Sequence, residues 1–331
     1  MRQTTLFPAA ALAVLAGCSP EPESPTATSP PPETPPATAP ATRPLANALV
    51  TVITAERGGF IPEGIEYDED SGRFLTGSLA EGTIFVIERD GRVVPFIRDP
   101  ELVSSVGIEV DENHDRLLVA NSNSAVFNDQ SATGHAKLGV YNLMSGERLA
   151  MVDLGSTIGA GARHFANDLT VDEEGNVYVT DSFANAIYKV TPDYRATVMH
   201  RFTDLPQDAL LNGIVYHDGG YLLAVAEDRI YKVPVANPEG ATQVNVTEPV
   251  GGQDGIVLTK DGRLVATSNS ESEPQLVAFM SNDNWTSAQR VATAILNGQA
   301  TTAAVVGDEI WAVHPHFADA EPPTIERGVF Q

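Results

Sequence analysis

A short unit recurs along this chain in nearly constant register, and that repeat limits the available folds more than any other feature. "GIEYDEDSGRFLTGS" begins at Gly64, "GIEVDENHDRLLVANS" at Gly107, "DLTVDEEGNVYVTDS" at Asp168, "GIVYHDGGYLLAVA" at Gly213 and "GIVLTKDGRLVATSN" at Gly255. A degenerate sixth, "TAAVVGDEIWAVHP", begins at Thr302. The starts are 43, 61, 45, 42 and 47 residues apart. Within the units short alternating runs are separated by turn pairs such as Asp-Gly, Glu-Gly and Ser-Gly, and no long helical period is present. Repeats of about 40–50 residues with several strands each specify a β-propeller. The expected fold is all-β, a six-bladed β-propeller with four-stranded blades. A β-sandwich would leave the fixed register unexplained. The last unit is short, with Arg327–Phe330 as its one further candidate strand. The run Ala48–Ile53 is expected to supply the missing strand, so that an N-terminal strand closes the ring and removes exposed edges.

The residues ahead of the repeat are of another kind. Arg2 precedes an apolar run from Leu6 to Ala16, followed by Gly17-Cys18. The run is too short for a spanning anchor and matches a signal-peptide core. The small residues before Cys18 resemble a bacterial lipobox, which implies a signal peptide over 1–17 and lipidation at Cys18. An ordinary secretory signal with an incidental cysteine is the alternative. Cys18 is the only cysteine, so the exported domain has no disulfide, zinc-thiolate site or thiol nucleophile. Residues 18–45 are expected to be a Pro/Thr-rich stalk, with ten prolines between Pro20 and Pro44; such a composition cannot bury apolar area and favours an extended chain. The propeller is expected over 46–331. The expected location is the cell envelope, as an exported lipoprotein held to a membrane through Cys18. The outer membrane is favoured because Ser19, not an aspartate, follows the cysteine. The chain carries 44 acidic and 20 basic residues, a formal charge of −24. Phosphate backbones would be repelled, so nucleic acid is excluded as a partner; cations and a small-molecule substrate remain, and a monomer is expected.

The position just before each repeat start holds Glu63, Val106, Asn167, Asn212, Asp254 and Thr301. In a propeller these six residues converge at one mouth of the axial channel. Four of them offer side-chain oxygens. Singly, each is an ordinary turn or strand-cap residue; together, two carboxylates and two amides in one register suit a hard divalent ion. Ca²⁺ is favoured, with Mg²⁺, Mn²⁺ and Zn²⁺ as alternatives. Asp168, beside Asn167, is then a supporting residue that orients the ligands or approaches the ion from below.

"PEGIEYD", "FANDLTVD", "LNGIVY" and "QDGIVLTKDGRL" resemble the senescence-marker-protein, gluconolactonase and luciferin-regenerating-enzyme family. The resemblance runs from Glu63 to about His314. It implies a central divalent ion held by Glu63, Asn167, Asn212 and Asp254, and hydrolysis of lactones or related esters with the ion polarising the carbonyl. It also implies that Asp254 is the base or nucleophile. Two departures concern the substrate. Ile65 and Tyr67 stand where many lactonases have Pro and Trp, and His164 stands where relatives often place an arginine.

A carboxylate that shares its charge with an ion is a weak base, so His164 and His314 are further catalytic candidates. By the same strand offset Ser78, Asn121, Asp181 and Asn269 are candidates for the pocket rim. No Gly-x-Ser-x-Gly or His-Glu-x-x-His motif is present. Two other functions remain open. One is a non-catalytic propeller that binds a ligand or protein around a structural ion. The other is a strictosidine-synthase-like enzyme, which needs no metal and leaves the oxygen ring without a purpose.

Overall fold

Strands such as Arg116–Ser122 and Tyr221–Ala226 are buried at every position. Their side chains alternate between two packed faces, so both faces must be apolar. Leu118 and Ala120 pack toward the following blade, whereas Leu117 and Val119 pack toward the preceding one. A sheet with both faces covered needs a neighbour on each side, and a closed ring provides that for every blade.

The computed structural model describes residues 51–159, 161–206, 209–269, 273–317 and 321–331. The expected signal peptide, Cys18 and the stalk lie outside the described residues. Six antiparallel sheets follow one another along the chain. Blade 1 runs Ile65–Asp68, Arg73–Thr76, Ile84–Ile87, Val93–Ile97. Blade 2 runs Ser104–Asp111, Arg116–Ser122, Lys137–Asn142, Arg148–Asp153. Blade 3 runs His164–Val171, Val177–Asp181, Ala186–Val190, Ala196–Arg201. Blade 4 runs Leu211–His217, Tyr221–Ala226, Arg229–Pro234, Thr242–Gln243. Blade 5 runs Gln253–Leu258, Leu264–Ser268, Gln275–Met280, Ser287–Ile295. Blade 6 runs Ala303–Val306, Glu309–His314, Thr324–Arg327.

Val52–Thr54 completes blade 6 by pairing antiparallel with Thr324–Arg327, with Ile53 opposite Ile325. The N-terminal closure thus has the expected form, but both partners are displaced from the expected runs. The closing strand lies at the far end of Ala48–Ile53, and the strand beside it ends at Arg327 rather than beginning there. Two blades also carry a fifth, two-residue strand: Gly134–His135 pairs parallel with the first strand of blade 3, and Asn245–Val246 with the last strand of blade 5.

The first strand of every blade touches that of the next, and blade 6 touches blade 1, so these strands surround a common axis. Six apolar clusters, one at each blade boundary, hold the ring together. Truncating a buried leucine to alanine in such a boundary costs about 2–5 kcal/mol.

Candidate functional site

The residues before the repeat starts are not strand caps. In blades 2 to 5 the first strand begins earlier than expected and carries a β-bulge. The register shifts between Ser105 and Ile108, Ala166 and Leu169, Leu211 and Ile214, and Gln253 and Ile256. The pairs Val106-Gly107, Asn167-Asp168, Asn212-Gly213 and Asp254-Gly255 occupy these bulges. A bulge places two residues opposite one and redirects a side chain that regular alternation would send elsewhere.

Each blade boundary has a link at this level. The Gly64 N–H donates to Val106 O at 3.1 Å. A Cβ on Gly107 would lie 2.6 Å from Asn167 O. Asp168 Oδ2 accepts from Ile214 N at 3.1 Å. A Cβ on Gly213 would lie 2.7 Å from Asp254 O. The Gly255 N–H donates to Thr301 O at 2.7 Å, and the Thr301 hydroxyl donates to Glu63 O at 2.7 Å. Glycine follows Glu63, Val106 and Asn212 because adjacent backbones leave no room for a side chain, and it follows Asp254 because Thr302 fills the space.

The electrostatics of this ring are one-sided. Burial, then the charges of Asp254 and Asp168, raise Glu63 well above the usual carboxylate range. Asp254 is pushed up to about 7 by burial, with a hydrogen bond from Asn212 opposing and the Asp168 charge adding. Asp168 is also pushed up to about 7 by burial, against hydrogen bonds from the backbone of Ile214 and Leu169. Glu63, Asn212 and Asp254 are half-buried, closely surrounded by protein yet still reached by water.

Asn167 is 7% exposed. Its Nδ2 donates to Ser182 Oγ at 2.9 Å, and that hydroxyl donates on to Leu211 O at 2.7 Å. Its Oδ1 is buried without a partner. An amide oxygen in this condition lacks the partner that would offset its desolvation. Among the described residues no three His, Cys, Asp or Glu side chains are grouped to hold an ion by themselves. A cation here must therefore take amide oxygens as well as carboxylates, and the orphaned Asn167 Oδ1 fits that requirement. Ile61, two residues before Glu63, has φ +51°, a conformation that strains a β-branched side chain.

The remaining sequence candidates belong to the scaffold. His164, which precedes the bulge, is buried among Asp181 and Tyr188. Its Nδ1 lies 2.7 Å from Asp181 Oδ2, which also accepts from the Tyr188 hydroxyl at 2.9 Å. The other oxygen of Asp181 accepts from the backbone of Phe165 and Ala184. Asp181 is thus a buried hub rather than a rim residue. His314 is 2% exposed. Its Nδ1 meets Gln299 O at 3.1 Å, and its Nε2 lies 3.1 Å from Glu326 Oε2 but out of line for a hydrogen bond. Burial lowers its pKa, the Glu326 charge opposing. Ser78 and Asn121 are wholly buried. Ser78 donates to Phe60 O and accepts from Glu81 N; Asn121 donates to Glu101 O and accepts from Val103 N. Asn269 exchanges two hydrogen bonds with the Ala300 backbone, joining blades 5 and 6.

Three residues inside the motifs were not among the sequence candidates. Gln253, beside Asp254, has a second buried oxygen without a partner, Oε1. Glu66 and Glu109, three residues or fewer beyond the ring, line a cavity of about 500 Å³ that opens along the channel away from the ring and shares Asp168 with it. This cavity includes none of Glu63, Asn167, Asn212 or Asp254. Glu66 is pushed up to about 8, first by burial, against a backbone hydrogen bond and with the Asp168 and Glu112 charges adding. Glu109 is raised by burial and then by Glu66, Asp168 and Asp111. Their shared position in consecutive units, "GIE", was the available signal.

No protein-family model matches the sequence, and no curated protein matches it. Solved structures do. The chain is similar to a gluconolactonase from Xanthomonas campestris, with 16% identity, a TM-score of 0.58, and 84% of this chain and 89% of that one covered. It is similar to regucalcin, a calcium-binding protein from Agrobacterium tumefaciens, with 17% identity, a TM-score of 0.59 and coverage of 85% and 94%. A luciferin-regenerating enzyme is similar at 11% identity, with a TM-score of 0.60 and coverage of 84% and 95%. These are the propellers to which the sequence motifs pointed. At such identities the likeness establishes the fold.

Proposed function

We propose that this chain is a divalent-cation-dependent hydrolase of lactones or related esters, with Ca²⁺ as the favoured ion. One observation carries the reading: the buried Asn167 Oδ1 lacks a partner within a ring where burial raises both Glu63 and Asp254, and the Asp254 charge raises Glu63 further. A cation relieves both conditions together. Glu63, Asn167, Asn212 and Asp254 would hold it. When bound, a divalent ion supplies a Lewis acid for the carbonyl oxygen and lowers the pKa of water. The likeness to a gluconolactonase and to a calcium-binding propeller supports the same reading.

Asp254 is the group that takes the proton from water or attacks the carbonyl carbon, and Asn212 orients its carboxylate. His164 and His314 are engaged by Asp181 and by Gln299, so Asp254 works without either imidazole. Asp168 braces the ring from the side, with its oxygens held by the Ile214 and Leu169 backbones. Lipidation at Cys18 would keep this site at a membrane surface, which incorporation of labelled palmitate tests directly.

The experiment is metal analysis of the purified protein, then lactone hydrolysis before and after chelation and in Asp254→Ala. Hydrolysis that survives both treatments would exclude the mechanism. The occupation of Ser78, Asn121 and both histidines by scaffold contacts favours a second reading, a binding propeller with a structural ion. Failure of a broad lactone and ester panel, with a large fall in melting temperature on chelation, would select it.

A further inference from the structure

The 61-residue spacing between the second and third repeat starts is the longest in the chain. Much of the excess lies between the second and third strands of blade 2. That segment forms a short 3₁₀ turn, Ser124–Phe127, and then the strand Gly134–His135, which pairs with His164 and Phe165 of blade 3. The insertion therefore crosses from one blade to the next on the same side as the oxygen ring.

It carries an aromatic group with it. The Phe127 ring lies 4.7 Å from that of Phe165 and 5.2 Å from that of Phe183. Phe165 stands two residues before Asn167. Phe183 directly follows Ser182, whose hydroxyl accepts from Asn167. Arg163 fixes the group in place. Its guanidinium lies 4.3 Å from the Phe183 ring centre, and it donates to Val126 O and Ala132 O of the insertion. Phe127 nevertheless remains 52% exposed. Rigid, pre-placed aromatic surface beside a polar centre is the usual construction of a small-molecule site.

The side chains that the strand offset assigned to the rim are not free to read a sugar. Ser78, Asn121 and Asp181 have no exposure and all bond to scaffold groups. A site that accepts a polyhydroxylated ring must offer free hydrogen-bond partners for its hydroxyls. By chain position Leu210, two residues before Asn212, and Phe317, three beyond His314, reach the same end of the channel, and they are 36% and 55% exposed.

We propose that Phe127 and Phe183 form an apolar wall that receives the substituent of the substrate. The substrates are then lactones or esters bearing an aliphatic or aryl group, not polyhydroxylated sugar lactones. This rests on the hydrolase reading above and names its substrate class.

The test compares kcat/KM for γ-decalactone and γ-butyrolactone in the full chain, with glucono-δ-lactone as the hydroxylated reference. In Phe127→Ala and Phe183→Ala the ratio of decalactone to butyrolactone is expected to fall at least about tenfold, while Phe127→Trp retains it. Phe127 is half exposed, so the Phe127 variants should melt close to the parent protein. An unchanged ratio, or a parent preference for glucono-δ-lactone, overturns the proposal. If no lactone is hydrolysed, the hydrolase reading fails separately, and calorimetry with the lactam of the ten-carbon acid tests the wall alone. Tenfold weaker lactam binding in Phe127→Ala upholds the wall; equal binding overturns it. Loss of vesicle binding by the Cys18→Ser chain on Phe127→Ala, with no change in substrate ratio, assigns the surface to lipid and also overturns it.

Discussion

The carboxylate of Asp168 accepts the backbone N–H of Ile214 at 3.1 Å, across the boundary between blades 3 and 4. Its other oxygen accepts from Leu169 N at 2.9 Å. At the same register Gly64, Gly107, Gly213 and Gly255 let neighbouring backbones meet directly. In blade 3 a carboxylate bridges the gap instead, which explains why Asn167 and Asp168 stand side by side: one serves the ring and the other the adjoining blade. Asp168→Ala leaves the Ile214 N–H buried without an acceptor and should lower stability by about 1–3 kcal/mol. Urea unfolding is expected to show a lower midpoint with an unchanged slope, and a smaller loss in Asp168→Asn.

Asn167→Ala should remove the stabilisation that a divalent ion confers. Melting of the parent protein is expected to rise with added Ca²⁺ and to fall on chelation, as for any ligand bound by the folded state alone. In Asn167→Ala the two curves should nearly coincide. A full Ca²⁺ response in that variant would remove the orphaned amide oxygen from the candidate ligands.

Gly107→Ala places a methyl group 2.6 Å from Asn167 O and 2.8 Å from the Asp168 backbone. These are backbone contacts and cannot turn aside, so a loss of about 1–3 kcal/mol or more is expected. Gly262→Ala is the control. Gly262 has φ +84° and open space around it, so only backbone strain of about 1 kcal/mol applies. Thermal melts of the two variants should separate accordingly, with a fall in activity confined to Gly107→Ala.

The far channel predicts a pH dependence. Glu66 is pushed up to about 8 in the folded protein and Glu109 is raised as well, whereas an unfolded glutamate titrates near 4.3. The folded state thus holds these protons more tightly. Its advantage is complete below the unfolded pKa and is lost as pH rises through the folded value. In the presence of a chelator the melting temperature should decline from pH 5 to pH 8.5. Glu66→Gln should flatten that decline, by on the order of 1 kcal/mol once screening by channel water is allowed for. A parent profile that is flat over this range would contradict the assignment.

Asp181→Ala should unfold more readily than any rim substitution. It strips acceptors from Tyr188, Phe165 N and Ala184 N and the partner from His164. A loss of about 3–5 kcal/mol is expected for breaking such a buried network. His164→Gln, by contrast, should retain kcat per folded molecule. A large fall in kcat with an unchanged pH profile of folding would return His164 to the chemistry.

The architecture was legible because its signals are local. Turn pairs, strand alternation and a repeat of fixed length lie within short windows, and they specified six blades and a closing N-terminal strand; they also marked the one register position that Glu63, Asn167, Asn212 and Asp254 share. What each side chain does at that level was decided by tertiary structure. A bulge of one residue exchanges the two faces of a strand, and no pattern in "HFAND" marks it; it turns Asn167 one way and leaves His164 with Asp181. The roles of Ser78, Asn121 and Asn269 likewise depend on carbonyls and amides about 18 to 31 residues away, and the convergence of Glu66 with Glu109 depends on two different blades. Local sequence encodes periodicity, whereas partner identity arises only when the ring closes and distant backbones come within hydrogen-bonding distance.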